Sequence, residues 1–162
     1  MVEWIIDALL FIGPSYVANA APLLFGGGRT LDGGRKLSDG QPIFGAHKTI
    51  RGVIAGIVAG TILGVAESLV DPRLAIAGFM MATGAVLGDL LGAFIKRRLR
   101  VEPGKAFPIL DQLDFVLGSL IFGYYFFPIG LLSVVFFVVV TPPIHLGTNY
   151  GAYRLGLKKT QW

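Results

Sequence analysis

The sequence predicts an all-α integral membrane protein of five transmembrane helices, with a polar site facing the cytoplasm. Three observations carry that reading. Of 162 residues, 54% are hydrophobic and 15% charged, against about 25% charged in soluble domains, and the mean hydropathy is +0.70. The apolar residues fall into runs near the length of a bilayer crossing, about 20 residues. The polar residues that interrupt those runs gather toward one membrane face. A soluble enzyme and a disordered chain are thereby excluded. Five crossings leave roughly 60 residues for connections, too few for a separate soluble domain. The absence of cysteine excludes a disulfide framework and thiolate chemistry.

The first run begins at Trp4 with no Lys or Arg before it and no clear small-residue cleavage site after it. Residues 4–25 therefore read as a retained span, not a signal peptide. The second and third spans cover 52–70 and 74–95. The stretch Phe115 to Val140 is longer than one crossing and shorter than two. It divides if the fourth span covers 110–127, drawing Asp111, Gln112 and Asp114 into its first turn, and the fifth covers 129–149. Phe127-Pro128-Ile129-Gly130 supplies the turn between them.

Charge placement tests the count, because cytoplasmic connections carry the excess of Lys and Arg. Five spans put thirteen of the fourteen basic residues on one side, in loops 26–51 and 96–109 and in the C-terminal tail, and leave Arg73 opposite. A single long fourth span would split that pool. The N-terminus is thus expected outside, and the C-terminus and polar site in the cytoplasm. Anionic lipid headgroups account for part of such a basic surface, but not for the polar residues inside the spans.

Ionisable and amide groups within apolar runs are costly and line cavities or pair with one another. Asn19 lies near the inner end of the first span, beside Pro22. Asp89 sits two turns before the inner end of the third, Asp111 and Asp114 open the fourth, and His145 and Asn149 close the fifth. Asp7 and Glu67, near the outer ends, read as headgroup contacts or structural residues.

Asp111 and Asp114 are spaced i, i+3 and so share a helix face, about 5–6 Å apart at the β-carbons. Two such charges stay ionised if a hard divalent cation compensates them, or if they cap the helix and pair with Lys96 or Arg97. A third carboxylate at matching depth, Asp89, favours the metal. Mg²⁺ takes one or two carboxylates plus substrate phosphates, so three suit two ions, or one ion with an outer partner.

Two further segments suit phosphate. Gly26, Gly27 and Gly28 close the first span, where backbone N–H groups can turn toward an anion without a β-carbon in the way; plain helix termination gives the same pattern. Lys48 and Arg51 precede the N-terminus of the second span, a favourable anion site, and they also fit ordinary positive-inside flanking. Residues 26–50 form a connection of 25 residues, long enough to suggest function, with Asp32 and Asp39 reading as turn residues.

Taken together, Asn19 to Pro22, Gly26 to Gly28, Leu31-Asp32-Gly33-Gly34, Asp39-Gly40, Lys48-Thr49 with Gly52, Gly88-Asp89, Phe94-Ile95-Lys96-Arg97-Arg98, Leu110-Asp111-Gln112-Leu113-Asp114-Phe115, and a tail of His145, Asn149, Tyr153, Leu157-Lys158 and Trp162 resemble the CDP-archaeol synthase family of archaeal CTP-dependent lipid-phosphate cytidylyltransferases. The resemblance covers nearly the whole chain. It implies Mg²⁺-dependent transfer of the cytidylyl group of CTP to 2,3-bis-O-(geranylgeranyl)-sn-glycerol 1-phosphate, with release of pyrophosphate. Membrane lipids surround the protein, and no nucleic acid takes part. In that reading Asp89, Asp111 and Asp114 hold the metal, and Lys96 and Arg97 bind triphosphate or lipid phosphate. Asn19, Gly26 to Gly28, Lys48, Thr49 and Arg51 contact nucleotide or phosphate, and His145 and Asn149 complete the pocket. One departure stands out: the family's usual Gly-Asp-Gly before Lys-Thr is here Gly45-Ala46-His47, so the role of that Asp does not carry over.

The nearest rival is the same reaction on diacyl phosphatidate. A CDP-alcohol phosphotransferase would continue Asp32-Gly33-Gly34 differently, and a transporter would spread its polar groups through the membrane depth or over two repeats.

Overall fold

In a bilayer an apolar segment must satisfy its own backbone N–H and C=O groups, which an α-helix does. The computed structural model describes residues 3–102, 105 and 107–157. Among them the chain forms α1 (Glu3–Phe25), α2 (Ile50–Glu67), α3 (Leu74–Arg98), α4 (Leu110–Gly123) and α5 (Leu131–Arg154). The tail residues Lys158, Lys159 and Trp162 lie outside the described residues.

Helices α1, α2, α3 and α5 are long and apolar enough to cross a membrane. The fourth differs from the expected 110–127. It has 14 residues, about 21 Å at 1.5 Å per residue, short of the roughly 30 Å hydrocarbon layer. It stops at Gly123, where the backbone closes on Met81 and Phe11, and the N–H groups of Phe126 and Phe127 both turn back to the Gly123 carbonyl. The other ends shift as well. α2 begins at Ile50, where Thr49 caps it, and stops at Glu67 rather than 70. α3 runs past 95 to Arg98, its last turn holding Lys96, Arg97 and Arg98, cations that the negative end of a helix favours. α5 runs from Leu131 through Pro142 and Pro143 to Arg154 instead of spanning 129–149.

Small residues set the packing, as they do where lipid supplies no hydrophobic drive between helices. Gly52, Gly56, Gly60 and Gly64 form a buried stripe along α2. A β-carbon at Gly56 would lie 2.7 Å from the Ala18 carbonyl oxygen, and one at Gly60 2.6 Å from that of Pro14. α2 therefore lies against α1 on backbone contact. The same device joins α3 to α4, where a β-carbon at Gly84 would run into the Gly118 carbonyl and one at Gly88 into that of Asp114. Phe11, Met81, Phe115, Val116 and Phe137 fill the centre. α5 leans on the outside of this core: Phe137 stacks on Phe11 at 5.9 Å, and the Tyr16 hydroxyl donates to Thr141 Oγ1 at 2.9 Å.

Because successive helices alternate in direction, the ends of α1 and α3 and the starts of α2 and α4 meet at one end of the bundle. The long loop 26–49 and the basic cluster of α3 sit there. Among the described basic residues, Arg73 lies at the opposite end, its guanidinium 4.9 Å from the Phe127 ring centre.

Candidate active site

The site is assembled from a helix start, a helix end and the loop between them. Thr49 caps α2 with extended backbone, φ −117° and ψ 153°, and its Oγ1 accepts from Gly52 N–H at 3.1 Å and Gly27 N–H at 3.2 Å. Gly26 N–H donates to the Pro22 carbonyl at 2.9 Å, closing α1. The amide of Gly27 thus joins the end of α1 to the start of α2. Gly27 and Gly28 hold φ of +99° and +77°, which glycine adopts without strain, and the chain turns sharply into the loop.

That junction positions Lys48. Its ammonium lies 2.6 and 2.5 Å from the two carboxylate oxygens of Asp89 on α3. Asn19, His47, Lys48, Thr49, Gly52 and Asp89 line one cleft between α1, α2 and α3. A second ion pair stands beside it. Lys96 reaches both oxygens of Asp111 at 2.8 Å, and Asp111 also accepts from Phe107 N–H at 2.9 Å. Asp111 therefore does what a carboxylate in the first turn of a helix does best: it meets unsatisfied N–H groups at the positive end. Asp114 follows on the same helix; its Oδ1 accepts from Phe115 N–H at 2.7 Å while its other oxygen presses on Gly92. Asp89, Asp111 and Lys48 are all near enough to act electrostatically on Asp114.

The three carboxylates expected as metal ligands are thus neighbours, two of them held by lysine. Among the described residues no group of three or more His, Asp or Glu is arranged so that it could hold a metal ion as it stands. Their oxygens are nevertheless the hard donors that Mg²⁺ takes, and Lys48 and Lys96 mark where positive charge is wanted. Arg97 is 7% exposed, its Nε has no hydrogen-bond partner among the described residues, and its Cδ packs beside Gly45.

The remaining candidates divide. Arg51 passes Gly28 to an outer groove lined also by Phe25, Ile54, Val58 and Ile62. His145 and Asn149 lie against α4: their side chains approach at 3.2 Å, and the His145 ring is 6.2 Å from that of Phe115. Glu67 meets Gly13 at the other end of the bundle.

The loop has its own internal staple. Asp32 Oδ1 accepts from Gly34 N–H at 2.9 Å, and Oδ2 from Phe44 and Gly45 N–H, each at 3.1 Å. Desolvation opposes the charge, but the amides of Gly45, Gly34 and Phe44 and the Thr30 hydroxyl outweigh it and hold the carboxyl down at about 2. Sequence reasoning did not single out His47 or Arg98. His47 had a signal in its place directly before Lys48; Arg98 pairs with Asp39 59 residues away, for which no local pattern exists.

A family model described as CarS-like CDP-archaeol synthase matches residues 1–162. The chain is 45% identical to the CDP-archaeol synthase of Methanopyrus kandleri, over 95% of this chain and 91% of that one. It is 42% identical to that of Thermococcus gammatolerans, over 96% and 95%. A solved structure of an intramembrane enzyme for archaeal membrane lipid biosynthesis superposes with a TM-score of 0.83 at 38% identity, covering 88% of this chain and 92% of the other. With its long apolar helices, the protein is a multi-pass membrane protein. The chain belongs to the CDP-archaeol synthase family.

Proposed function

We propose that this protein transfers the cytidylyl group of CTP to 2,3-bis-O-(geranylgeranyl)-sn-glycerol 1-phosphate at the cytoplasmic face of the membrane, releasing pyrophosphate. The observation that carries the reading is the pairing of Lys48 with Asp89 and Lys96 with Asp111 on either side of Asp114, in a chain of this family.

The chemistry asks for positioning and charge. A phosphate monoester has a second pKa of about 6, so the lipid phosphate is largely dianionic and needs no base. One of its oxygens attacks the α-phosphorus of CTP, and the bond from that phosphorus to the oxygen bridging to the β-phosphate breaks. The protein must hold the groups in line and neutralise the departing pyrophosphate. Lys48, Lys96 and the buried Arg97 face that charge. Asn19 and His47 share the Lys48 cleft and contact the nucleotide, and Thr49 with Gly26 to Gly28 shapes its rim. Arg51, at the head of the outer apolar groove, takes the lipid phosphate while the isoprenoid chains follow Ile54, Val58 and Ile62. His145 and Asn149 flank the site from α5. Asp89, Asp111 and Asp114 would hold Mg²⁺, which when bound adds positive charge beside the triphosphate.

The test is incubation of the purified full-length protein with labelled CTP, Mg²⁺ and the geranylgeranyl lipid phosphate. CDP-lipid and pyrophosphate are expected in equal amounts. Absence of both defeats the reading, and equal turnover of diacyl phosphatidate defeats its lipid specificity.

A further inference from the structure

Arg98, the last residue of α3, carries no role in the reaction as drawn above, yet it gathers three acceptors from the far side of the loop. Its Nη1 donates to the Asp39 carboxylate oxygens at 2.8 and 2.7 Å. Its Nη2 donates to the carbonyls of Gln41, at 3.3 Å, and Pro42. The guanidinium also lies 5.2 Å from the Phe94 ring centre one turn back on α3, so it is braced from beneath by its own helix.

These acceptors belong to a small hairpin. Leu37 N–H donates to Gln41 O at 3.0 Å and Gly40 N–H to Leu37 O at 2.9 Å, Lys36 bridges to Pro42, and Asp39 Oδ1 also takes Gln41 N–H. From Pro42 the chain runs directly to Lys48. Along that run Phe44 and Gly45 hang on Asp32, Gly45 packs on the Arg97 side chain, and Lys48 ends on Asp89. The run is therefore strung between an anchor on α3 at one end and a second contact with α3, nine positions earlier, at the other.

We infer that Arg98 is a positioning residue: by clasping Asp39 and the carbonyls of Gln41 and Pro42, it fixes the loop to α3 and sets His47 and Lys48 at the cleft. A planar guanidinium spans acceptors on three successive parts of a turn, which the point charge of lysine does not. The inference rests on the reading of that cleft as the nucleotide site.

Full-length wild type, Arg98→Ala, Arg98→Lys and Asp39→Asn are compared in detergent by two independent readouts. The first is the rate of native-state trypsin cleavage after Arg35 and Lys36, which follows the population of the opened loop and needs no activity. The second is steady-state kinetics in CTP. With the charge-assisted bonds lost in Arg98→Ala and the planar fork that spans three acceptors lost in Arg98→Lys, both variants are expected to cleave about tenfold faster and to raise KM for CTP about tenfold, with kcat within about threefold of wild type. Asp39→Asn, which leaves the carbonyl contacts, gives a smaller rise in both. Wild-type cleavage and KM in Arg98→Ala overturn the inference, as does full restoration by Arg98→Lys, which would show charge alone to be sufficient. If Arg98→Ala does not fold, Arg98→Lys and Asp39→Asn decide by the same measures. If the wild type transfers no cytidylyl group, the proposed function falls while the cleavage rates still judge the clasp.

Discussion

The Lys48 ammonium sits 2.5 Å from an Asp89 carboxylate oxygen, joining two elements 41 residues apart in sequence. Both side chains keep about a quarter of their surface exposed, at 25% and 29%. A pair so open to solvent contributes about 1 kcal/mol or less to stability. Lys48→Met is therefore expected to leave the thermal midpoint nearly unchanged. Turnover should fall much further, by about a hundredfold or more, the usual consequence of removing one preorganised group from developing charge. Assay and melting curve on the same preparation separate the two effects. Near-normal turnover would leave the pair a purely structural tie.

Gly92 offers a test of how tightly the α3–α4 contact holds Asp114. A β-carbon there would lie 3.0 Å from Asp114 Cγ and 3.1 Å from its Cβ, and would overlap Oδ2. α4 cannot easily retreat, because its Gly118 is locked against Gly84 one layer along. Gly92→Ala is expected to destabilise by about 1–3 kcal/mol as an overpacked contact, and to lose more turnover than that destabilisation accounts for. Gly130→Ala is the control: it has open space around the β-carbon and φ of −69°, and should match wild type in both measurements.

What could be read in advance followed from local pattern. Apolar runs disclosed the crossing helices, and the i, i+3 spacing put Asp111 and Asp114 on one face. The turn roles of Asp32 and Asp39 were legible because each carboxylate caps an amide two residues on. The end of α4 was not legible, since it depends on Gly123 meeting Met81 and Phe11 from other helices. Nor did sequence show that Gly27 gives its amide to Thr49, or that Lys48 belongs to Asp89 and Arg98 to Asp39. Those partners are brought together by the glycine-mediated approach of α1, α2 and α3, a tertiary fact without a signature near either residue.

Asp32 makes the loop acid-sensitive in a defined window. Its carboxyl is held at about 2, below the ordinary 3.8, so folding of the loop favours the ionised form. Stability from this group is then fully present above about pH 4 and falls as pH drops from 3.8 toward 2, because the unfolded loop binds the proton first. Protection of the Phe44 and Gly45 amides against hydrogen exchange, corrected for intrinsic rates, is expected to decline across that range. Asp32→Asn should show weaker protection at every pH and lose the pH dependence. An unchanged profile in the variant would assign the acid response elsewhere.

Asp114 gives the sharpest distinction between a structural and a chemical carboxylate. Asp89 and Asp111 each hold a lysine; among the described residues Asp114 enters no ion pair and accepts a hydrogen bond from the amide of its neighbour Phe115. Asparagine keeps the shape and an oxygen to accept that bond, while removing a buried carboxyl whose charged form repels Asp89 and Asp111. Asp114→Asn is therefore expected to melt at or above the wild-type temperature. If the three carboxylates share a cation, the same variant loses an anionic donor from its shell and should bind Mn²⁺, used as a spectroscopic substitute for Mg²⁺, about tenfold or more weakly, as ligand charge count sets affinity for hard cations. Turnover should be abolished. A folded Asp114→Asn with wild-type turnover and Mn²⁺ affinity would remove Asp114 from the site and leave the Lys48–Asp89 pair as its centre.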